Sequence, residues 1–274
     1  MSENPVVDVT PDSFRRYMSE HSDGEYLLVD VREPPEYEQA HIPGAQLLPL
    51  GQLESRLGDL PPHRDLIFAC RSGVRSRVAA QMAAEKMGQH GTLYNLEGGI
   101  LAWQGYTVTD FPRVKILVLE EGMQQTLMAA MDLEKGAWNI YRYIQEQFPG
   151  TRLSQTIEYL SMAEMNHAEA LYDVWRTAEA DPPQFEDLFA GLKGELLEGG
   201  MSLTEAMLRL ESTMVPMDLA IYELALDIEF TAYDLYRYAG EHSDDPTLKK
   251  LFLDIGEGEK KHMASIVGVL NSAF

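Results

Sequence analysis

Four glutamates and two histidines in the C-terminal half have the residue types and spacing of a metal site. They form two sets related by a shift of 95 residues: Glu134, Glu164 and His167, then Glu229, Glu259 and His262. Each Glu-x-x-His places a carboxylate and an imidazole on the same side of a helix. Glu134 and Glu229 each interrupt an otherwise apolar helical face, and a buried carboxylate must be paired or bind a metal. The repeat therefore predicts a shared metal site.

Cys70, the single cysteine, is a candidate nucleophile. It ends an apolar run, residues 65–70, that predicts a buried parallel strand, and a helix is predicted over residues 76–86. A tight loop between them would point backbone N–H groups and a helix N-terminus at the sulfur. Arg71 and Arg75 add positive charge, which also favours the thiolate. A buried, inert cysteine is the competing interpretation, and the strand–loop–helix context favours the nucleophile.

The loop from Cys70 to Ser76 resembles the active-site loop of the rhodanese family of sulfurtransferases. Segments 30–32, 41–45 and 96–103 resemble the motifs that flank it, so the resemblance covers about residues 5–108. It implies that Cys70 takes a sulfane sulfur from a donor such as thiosulfate, forms a persulfide, and passes the sulfur to a thiol or cyanide acceptor. It also implies an anion-binding role for Arg75 and for the rest of the loop, namely Arg71, Ser72, Gly73, Val74 and Ser76.

Loop length distinguishes this pattern from that of related phosphatases, which have a longer loop between cysteine and arginine. Only four residues separate Cys70 from Arg75, and the smaller ring favours sulfur over phosphate. Asp30 and Arg32 are interpreted as a buried pair that anchors a turn. His41 is interpreted as a packing residue rather than as a catalytic base.

The pattern of elements predicts a multidomain chain. Residues 1–108 alternate strands with helices, which indicates an α/β domain with helices on both faces of a parallel sheet. Residues 109–115 break that pattern and are predicted to be a linker. Residues 116–274 are predicted to be all-α, with a crossover over residues 185–214 and four long helices, at 116–148, 154–178, 217–242 and 247–270.

The four long helices carry the six candidate ligands in the arrangement described for di-iron and di-manganese four-helix bundles. The C-terminal half thereby resembles the ferritin-like superfamily, particularly its rubrerythrin and bacterioferritin branches. The resemblance implies two iron ions per chain, an external electron donor and a homodimer. Carboxylate and imidazole ligands also suit manganese or zinc. A duplication whose polar residues became solvent-exposed is the competing interpretation.

The chain departs from rubrerythrins in two respects. Ala232 stands where they usually carry an additional carboxylate, and one cysteine cannot supply their four-cysteine, rubredoxin-like module. Trp138 and Tyr233, at equivalent positions of the repeat, are interpreted as core packing rather than as an electron relay. Three acids of the crossover are interpreted as solvated: Glu195, Glu198 and Glu205.

Composition narrows the function further. A net charge of −22 over 274 residues argues against nucleic-acid binding. Neither a membrane-spanning apolar run nor a signal-peptide pattern is present, so a cytoplasmic protein is expected. The leading hypothesis is a bifunctional protein, with sulfur transfer at Cys70 and a di-iron site that reacts with peroxide or oxygen. The alternative is an iron-binding, storage or metal-stabilised protein whose N-terminal half binds sulfur compounds or anions.

Overall fold

The computed structural model describes residues 6–87, 91–151 and 153–273 of the chain. These residues form two compact units, Met1–Phe111 and Pro112–Phe274. The division falls within the segment 109–115.

The N-terminal unit is built on a five-stranded sheet. Its strands are β1 (Val7–Val9), β2 (Tyr26–Asp30), β3 (Gln46–Leu47), β4 (Asp65–Ala69) and β5 (Leu93–Leu96). All pairs are parallel, in the order β1-β5-β4-β2-β3, so β4 is the central strand. Every residue of β2 is buried, as expected for a parallel strand that is covered on both faces.

Among the described residues, four α-helices lie between successive strands, namely α1 (Pro11–Glu20), α2 (Pro34–Gln39), α3 (Leu50–Arg56) and α4 (Val74–Lys86), and α5 (Gly99–Ala102) follows the last strand. Successive side chains of β2 and β4 point to opposite faces. Leu27 and Phe68 pack in one core with residues of α3 and α4. Leu28 packs in the other, with Phe14 of α1 and Tyr37 of α2. The predicted parallel α/β domain is therefore confirmed.

The second unit is helical. Its helices are α6 (Met123–Gln147), α7 (Ser154–Trp175), α8 (Phe185–Gly191), α9 (Leu203–Glu211), α10 (Met217–His242) and α11 (Pro246–Ala273). The predicted start of the first long helix at residue 116 is wrong. Two short 3-10 turns occupy that stretch, and the α-helix begins only after Gly122, because Val118 and Gly122 have positive φ angles of 45° and 97°. The predicted second helix likewise ends in a 3-10 turn, Arg176–Ala178.

The long helices pack in pairs. Helix α6 lies along α7, α10 lies along α11, and α7 also contacts α11. Leu127, Leu171, Tyr236 and Phe252 contribute one residue from each long helix to a common apolar core. Among the described residues, no helix combines the length and hydropathy needed to cross a membrane. The four-helix bundle itself stays a prediction.

Candidate functional site

Cys70 follows the central strand and precedes α4, at the carboxyl edge of the sheet. Helix α5 holds the loop in place, since the N–H of Ile100 donates to the Cys70 carbonyl at 2.8 Å and that of Leu101 to the Arg71 carbonyl at 3.1 Å. Gly99 makes this approach possible. It has a φ of 56°, and a Cβ there would lie 2.2 Å from the Cys70 carbonyl oxygen.

The Cys70 sulfur is buried and surrounded by hydrogen-bond donors. The backbone N–H of Gly73 donates to Sγ at 3.1 Å, and the Ser76 hydroxyl lies 3.3 Å from it. Burial alone would raise the pKa of the thiol. The Ser76 hydroxyl and the amides of Ser76, Ser72 and Gly73 outweigh that effect, so the pKa of Cys70 is lowered. The loop therefore stabilises a thiolate, as a nucleophile requires.

The Ser76 hydroxyl is held by a residue that the sequence analysis did not identify. Its oxygen lies 2.7 Å from Asn95 Oδ1, and Asn95 Nδ2 donates to Asp8 Oδ1 at 2.8 Å. A hydroxyl has one proton, so Ser76 can donate to Cys70 or to Asn95 but not fully to both. The signal that could have identified Asn95 is its amide in the otherwise apolar strand β5, where the side chain is buried.

Arg75 is bound within the unit by an acid of α2. Its two terminal nitrogens donate to Glu36 at 2.8 Å and 2.6 Å, in a bidentate pair. The Arg75 guanidinium accordingly lowers the pKa of Glu36 to about 2. An anionic donor would have to compete with Glu36 for this arginine. The other loop side chains of Arg71, Ser72 and Val74 are exposed.

Asp30, Arg32 and His41 make contacts of the kind expected for turn-anchoring residues. Arg32 Nε lies 2.9 Å from both carboxylate oxygens of Asp30, and its Nη2 donates to the Ala40 carbonyl at 2.7 Å. The His41 ring is buried and stacks on Tyr37 with 3.7 Å between the ring centroids. These contacts hold the turn between β2 and β3.

The six candidate metal ligands lie together inside the second unit, in two groups that share Glu164 and Glu259. The ligand atoms within each group all lie within 4.8 Å of one another. The first group is Glu134, Glu164, His167 and Glu259, and the second is Glu164, Glu229, Glu259 and His262. The four glutamates and His262 are at most 2% exposed. The competing interpretation of solvent-exposed charges is therefore wrong for these side chains.

Each histidine lies within 4 Å of carboxylates of both repeats. His262 Nδ1 lies 2.8 Å from Glu229 Oε2 and 2.9 Å from Glu259 Oε2. His167 Nδ1 lies 3.1 Å from Glu259 Oε1. The two imidazole rings stack with 5.1 Å between their centroids. Glu259 thus lies between both histidines.

Several candidate metal-ligand atoms of this cluster are buried without a hydrogen bond to any described residue. They are Glu134 Oε2, His167 Nδ1 and Glu259 Oε1. Buried polar atoms in folded proteins are nearly always satisfied, and these are the oxygen and nitrogen types that divalent transition metals bind. The donor set fits two such cations.

Without a cation, protons must offset the buried charge. Burial raises the pKa of Glu164 well above its ordinary value and that of Glu229 to about 7. Burial alone would lower the pKa of His262, but Glu229 and Glu259 raise it to about 12. Burial would likewise raise the pKa of Glu259, but the adjacent His167 and His262 lower it. Cations would displace the histidine protons, because a metal-bound imidazole nitrogen is unprotonated.

Two buried tyrosines were missed as site residues. The Tyr141 hydroxyl donates to Glu229, and the Tyr236 hydroxyl donates to Glu134. The tyrosines are themselves 95 residues apart, so each repeat orients the glutamate of the other. The repeat contained this signal, but an aromatic residue on an apolar helical face suggested packing alone.

The interpretation of Glu198 as solvated is wrong. Glu195 and Glu205 are exposed, but Glu198 is 1% exposed and its Oε2 makes no hydrogen bond to a described residue. No charge pattern in the crossover distinguishes the three acids. Only the path of the chain buries one of them.

The aromatic residues at equivalent repeat positions have different surroundings. Trp138 is half-buried against Phe189 of α8, with 5.7 Å between ring centroids, and Lys135 Nζ lies 3.8 Å from its ring centre. Tyr233 is fully buried. Ala232 is also buried, and its methyl side chain supplies no carboxylate.

Comparison with known proteins identifies the first unit. A model of the rhodanese-like domain matches residues 10–106. A sulfurtransferase of Allochromatium vinosum is 38% identical over 98 residues, which are 36% of this chain and 88% of that protein. The adenylyltransferase and sulfurtransferase MOCS3 of Drosophila persimilis is 29% identical over 126 residues, 40% of this chain and 26% of that protein.

A solved structure gives a similar match. The rhodanese-like domain protein from Staphylococcus aureus is 25% identical, with a TM-score of 0.34 over 38% of this chain and 99% of that chain. Residues 107–274 lie outside the matched family model. Through its residues 10–106, and through the Cys70 loop that they contain, the chain belongs to the rhodanese-like family.

Proposed function

We propose that the N-terminal unit is a sulfurtransferase that carries sulfur as a persulfide on Cys70. The observation that carries this proposal is the Cys70 sulfur surrounded by the Gly73 and Ser76 donors, with a lowered thiol pKa. The sulfurtransferase relatives support it. The same donors that stabilise the thiolate would also receive the negative charge of a persulfide.

The proposed reaction has two displacements. The Cys70 thiolate attacks the outer sulfur of thiosulfate, a sulfur–sulfur bond forms, and sulfite leaves with the electron pair of the broken bond. A nucleophilic acceptor, cyanide or a thiolate, then attacks the outer sulfur and Cys70 leaves as a thiolate. No external oxidant or reductant is consumed. Thiosulfate and cyanide supplied to the protein should give thiocyanate and sulfite in equal amounts.

The Ser76→Ala variant should shift the pH dependence of this reaction. Loss of the hydroxyl removes the largest of the contacts that lower the pKa of Cys70, so the pKa rises and less thiolate is present at neutral pH. Since a hydrogen bond to a charged group contributes about 1.5–3 kcal/mol, we expect at least about a tenfold lower rate at pH 7. The acidic limb of the rate profile should move to higher pH.

Ser55→Ala, at an exposed serine of α3, is the matched control and should leave the profile unchanged. An unchanged pH–rate profile in the Ser76→Ala variant would mean that the Ser76 hydroxyl donates its proton to Asn95 and not to Cys70.

We propose further that α6, α7, α10 and α11 form a ferritin-like, rubrerythrin-like four-helix bundle around a di-metal site, with iron as the first candidate and manganese or zinc as alternatives. The buried atoms of Glu134, His167 and Glu259 that make no hydrogen bond to a described residue support this assignment. Six side chains would hold the cations: Glu134, Glu164, His167, Glu229, Glu259 and His262. A bound iron pair would supply redox chemistry toward peroxide or oxygen.

The protein's own residues have two functions in this proposal. The Tyr141 hydroxyl orients Glu229 and the Tyr236 hydroxyl orients Glu134, which keeps these carboxylates in position for the cations. The apolar core that the four long helices share would limit the access of water to the cluster. Electrons would come from an external donor.

Iron supplied with hydrogen peroxide separates the two candidate functions of this unit. A peroxidase turns over many times per iron pair when reductant is present. An iron store instead accumulates iron beyond two ions per chain, and this alternative is favoured if peroxide consumption stops after one equivalent. Metal analysis of the purified protein, with its optical spectrum, identifies the native ion.

Gly258 of α11 leaves the space that His167 occupies. A Cβ at Gly258 would lie 2.3 Å from His167 Nε2, so Gly258→Ala should displace the imidazole. We expect the affinity for one of the two cations to fall at least about tenfold, as when a contact that orients a ligand is lost. Calorimetric metal titration measures this.

Gly268→Ala is the control, because it lies on the same helix with no heavy atom within 4 Å of its Cβ. It should bind metal normally and be stabilised by up to about 1 kcal/mol. Equal metal affinity in both variants would contradict the proposed role of His167.

The two activities can be tested for coupling. If metal removal leaves sulfur transfer unchanged, and the loss of Cys70 leaves peroxide turnover unchanged, the two units act independently. A change in either would favour a substrate common to both, such as a persulfide.

A further inference from the structure

Glu198 is a buried acid that is not among the six proposed metal ligands. It lies in the crossover between α8 and α9, is 1% exposed, and its Oε2 makes no hydrogen bond to a described residue. A carboxyl group buried in this way must be paired with an opposite charge, bind a cation or keep its proton. None of the salt bridges found among the described residues supplies that opposite charge.

The backbone conformation of the crossover places Glu198 in the interior of the second unit. Residues 197–201 form a tight turn, in which the Gly200 N–H donates to the Leu197 carbonyl at 2.7 Å and the Leu197 N–H to the Met201 carbonyl at 2.9 Å. Gly200 adopts a φ of 75°, which the turn requires. Glu198 lies within this turn.

Two close backbone approaches fix the turn against the ligand-bearing helices. A Cβ at Gly136 of α6 would lie 1.9 Å from the Leu196 carbonyl oxygen, and a Cβ at Gly199 would lie 2.4 Å from Thr231 Oγ1 of α10. Gly136 and Thr231 are equivalent positions of the repeat, each two residues after a ligand glutamate. The turn therefore lies between the helices that carry Glu134 and Glu229, at the level of the site.

The surroundings of Glu198 are acidic. Burial, together with electrostatic repulsion by the carboxyl groups of Glu134, Glu164 and Glu259, raises the pKa of Glu198. Of these three, only Glu134 belongs to the His167 group alone, whereas Glu164 and Glu259 belong to both groups. The close approach of this segment to Gly136 of α6, two residues after Glu134, likewise places Glu198 beside the group that contains Glu134.

We propose that Glu198 is a seventh metal-binding residue of this site, a fifth carboxylate that binds the cation held by Glu134, Glu164, His167 and Glu259. This inference rests on the proposed metal function. The position 95 residues before Glu198 is Trp103 in the other unit, so the repeat supplies no counterpart. The otherwise symmetric site therefore has one cation position with an additional oxygen ligand.

Titration of the metal-free full-length chain with Mn²⁺, followed by the electron paramagnetic resonance signal of the free ion, tests the proposal. We expect two Mn²⁺ per wild-type chain, with the affinity for one of them at least about tenfold lower in Glu198→Gln. Glu198→Asp, which keeps the charge on a shorter side chain, should fall between them. Glu195→Gln, an exposed acid of the same segment, should match the wild type.

Thermal unfolding of the metal-free proteins excludes a purely structural role. The amide in Glu198→Gln cannot acquire the negative charge that burial and the neighbouring acids disfavour, so this variant should unfold at the same temperature as the wild type or higher. Lower thermal stability together with unchanged Mn²⁺ affinities would overturn the proposal for Glu198 and leave the six-residue site intact. A wild-type chain that binds no Mn²⁺, Fe²⁺ or Zn²⁺ would instead overturn the metal function itself.

Discussion

Cys70→Ala should abolish the formation of thiocyanate from thiosulfate and cyanide, with a loss of at least about 1,000-fold, as when other catalytic nucleophiles are removed. The reason is that the single cysteine is the only thiol in the chain, so no other side chain can form the persulfide. Mass spectrometry of the wild type after thiosulfate treatment should show one additional sulfur, and the variant should show none.

Cys70→Ser is the companion variant, since the hydroxyl has nearly the size of the thiol but does not ionise at neutral pH. It should be equally inactive while preserving the buried packing. Metal content should equal that of the wild type in both variants, because every proposed metal ligand lies in Pro112–Phe274. Thiocyanate formation that persists in both variants would contradict the assignment of Cys70.

Glu259→Ala should have the largest effect on metal binding. Glu259 belongs to both ligand groups and lies within 3.1 Å of a nitrogen of each histidine. Residues that merely orient ligands contribute about 10–100-fold to affinity, so loss of a shared ligand should lower the affinity for both cations by more than about 100-fold. Metal analysis after dialysis should find well under one ion per chain.

His167→Ala and His262→Ala form the matched comparison, because each histidine belongs to one group only. Each variant should retain about one ion per chain. An equal loss of bound metal in all three variants would indicate that the two cations bind cooperatively. Normal metal content in Glu259→Ala would contradict a shared metal site.

The sequence by itself determined the features that depend on local pattern or on repetition. Apolar runs predicted β2 and β4 because strands covered on both faces need no polar alternation. A strand, a cysteine and a glycine-containing loop before a helix identified the Cys70 site. The repeat related the six clustered side chains, since equivalent positions of two similar helical hairpins carry the same residue types.

Only the tertiary structure decided which polar groups are buried together. Arg75 is bound by Glu36, which lies 39 residues away in the chain, and the Ser76 hydroxyl is shared with Asn95. Glu198 has the same local character as Glu195, yet the close approach of the crossover to Gly136 and Thr231 buries it. Periodicity describes one element at a time, whereas such contacts depend on the path of distant segments across each other.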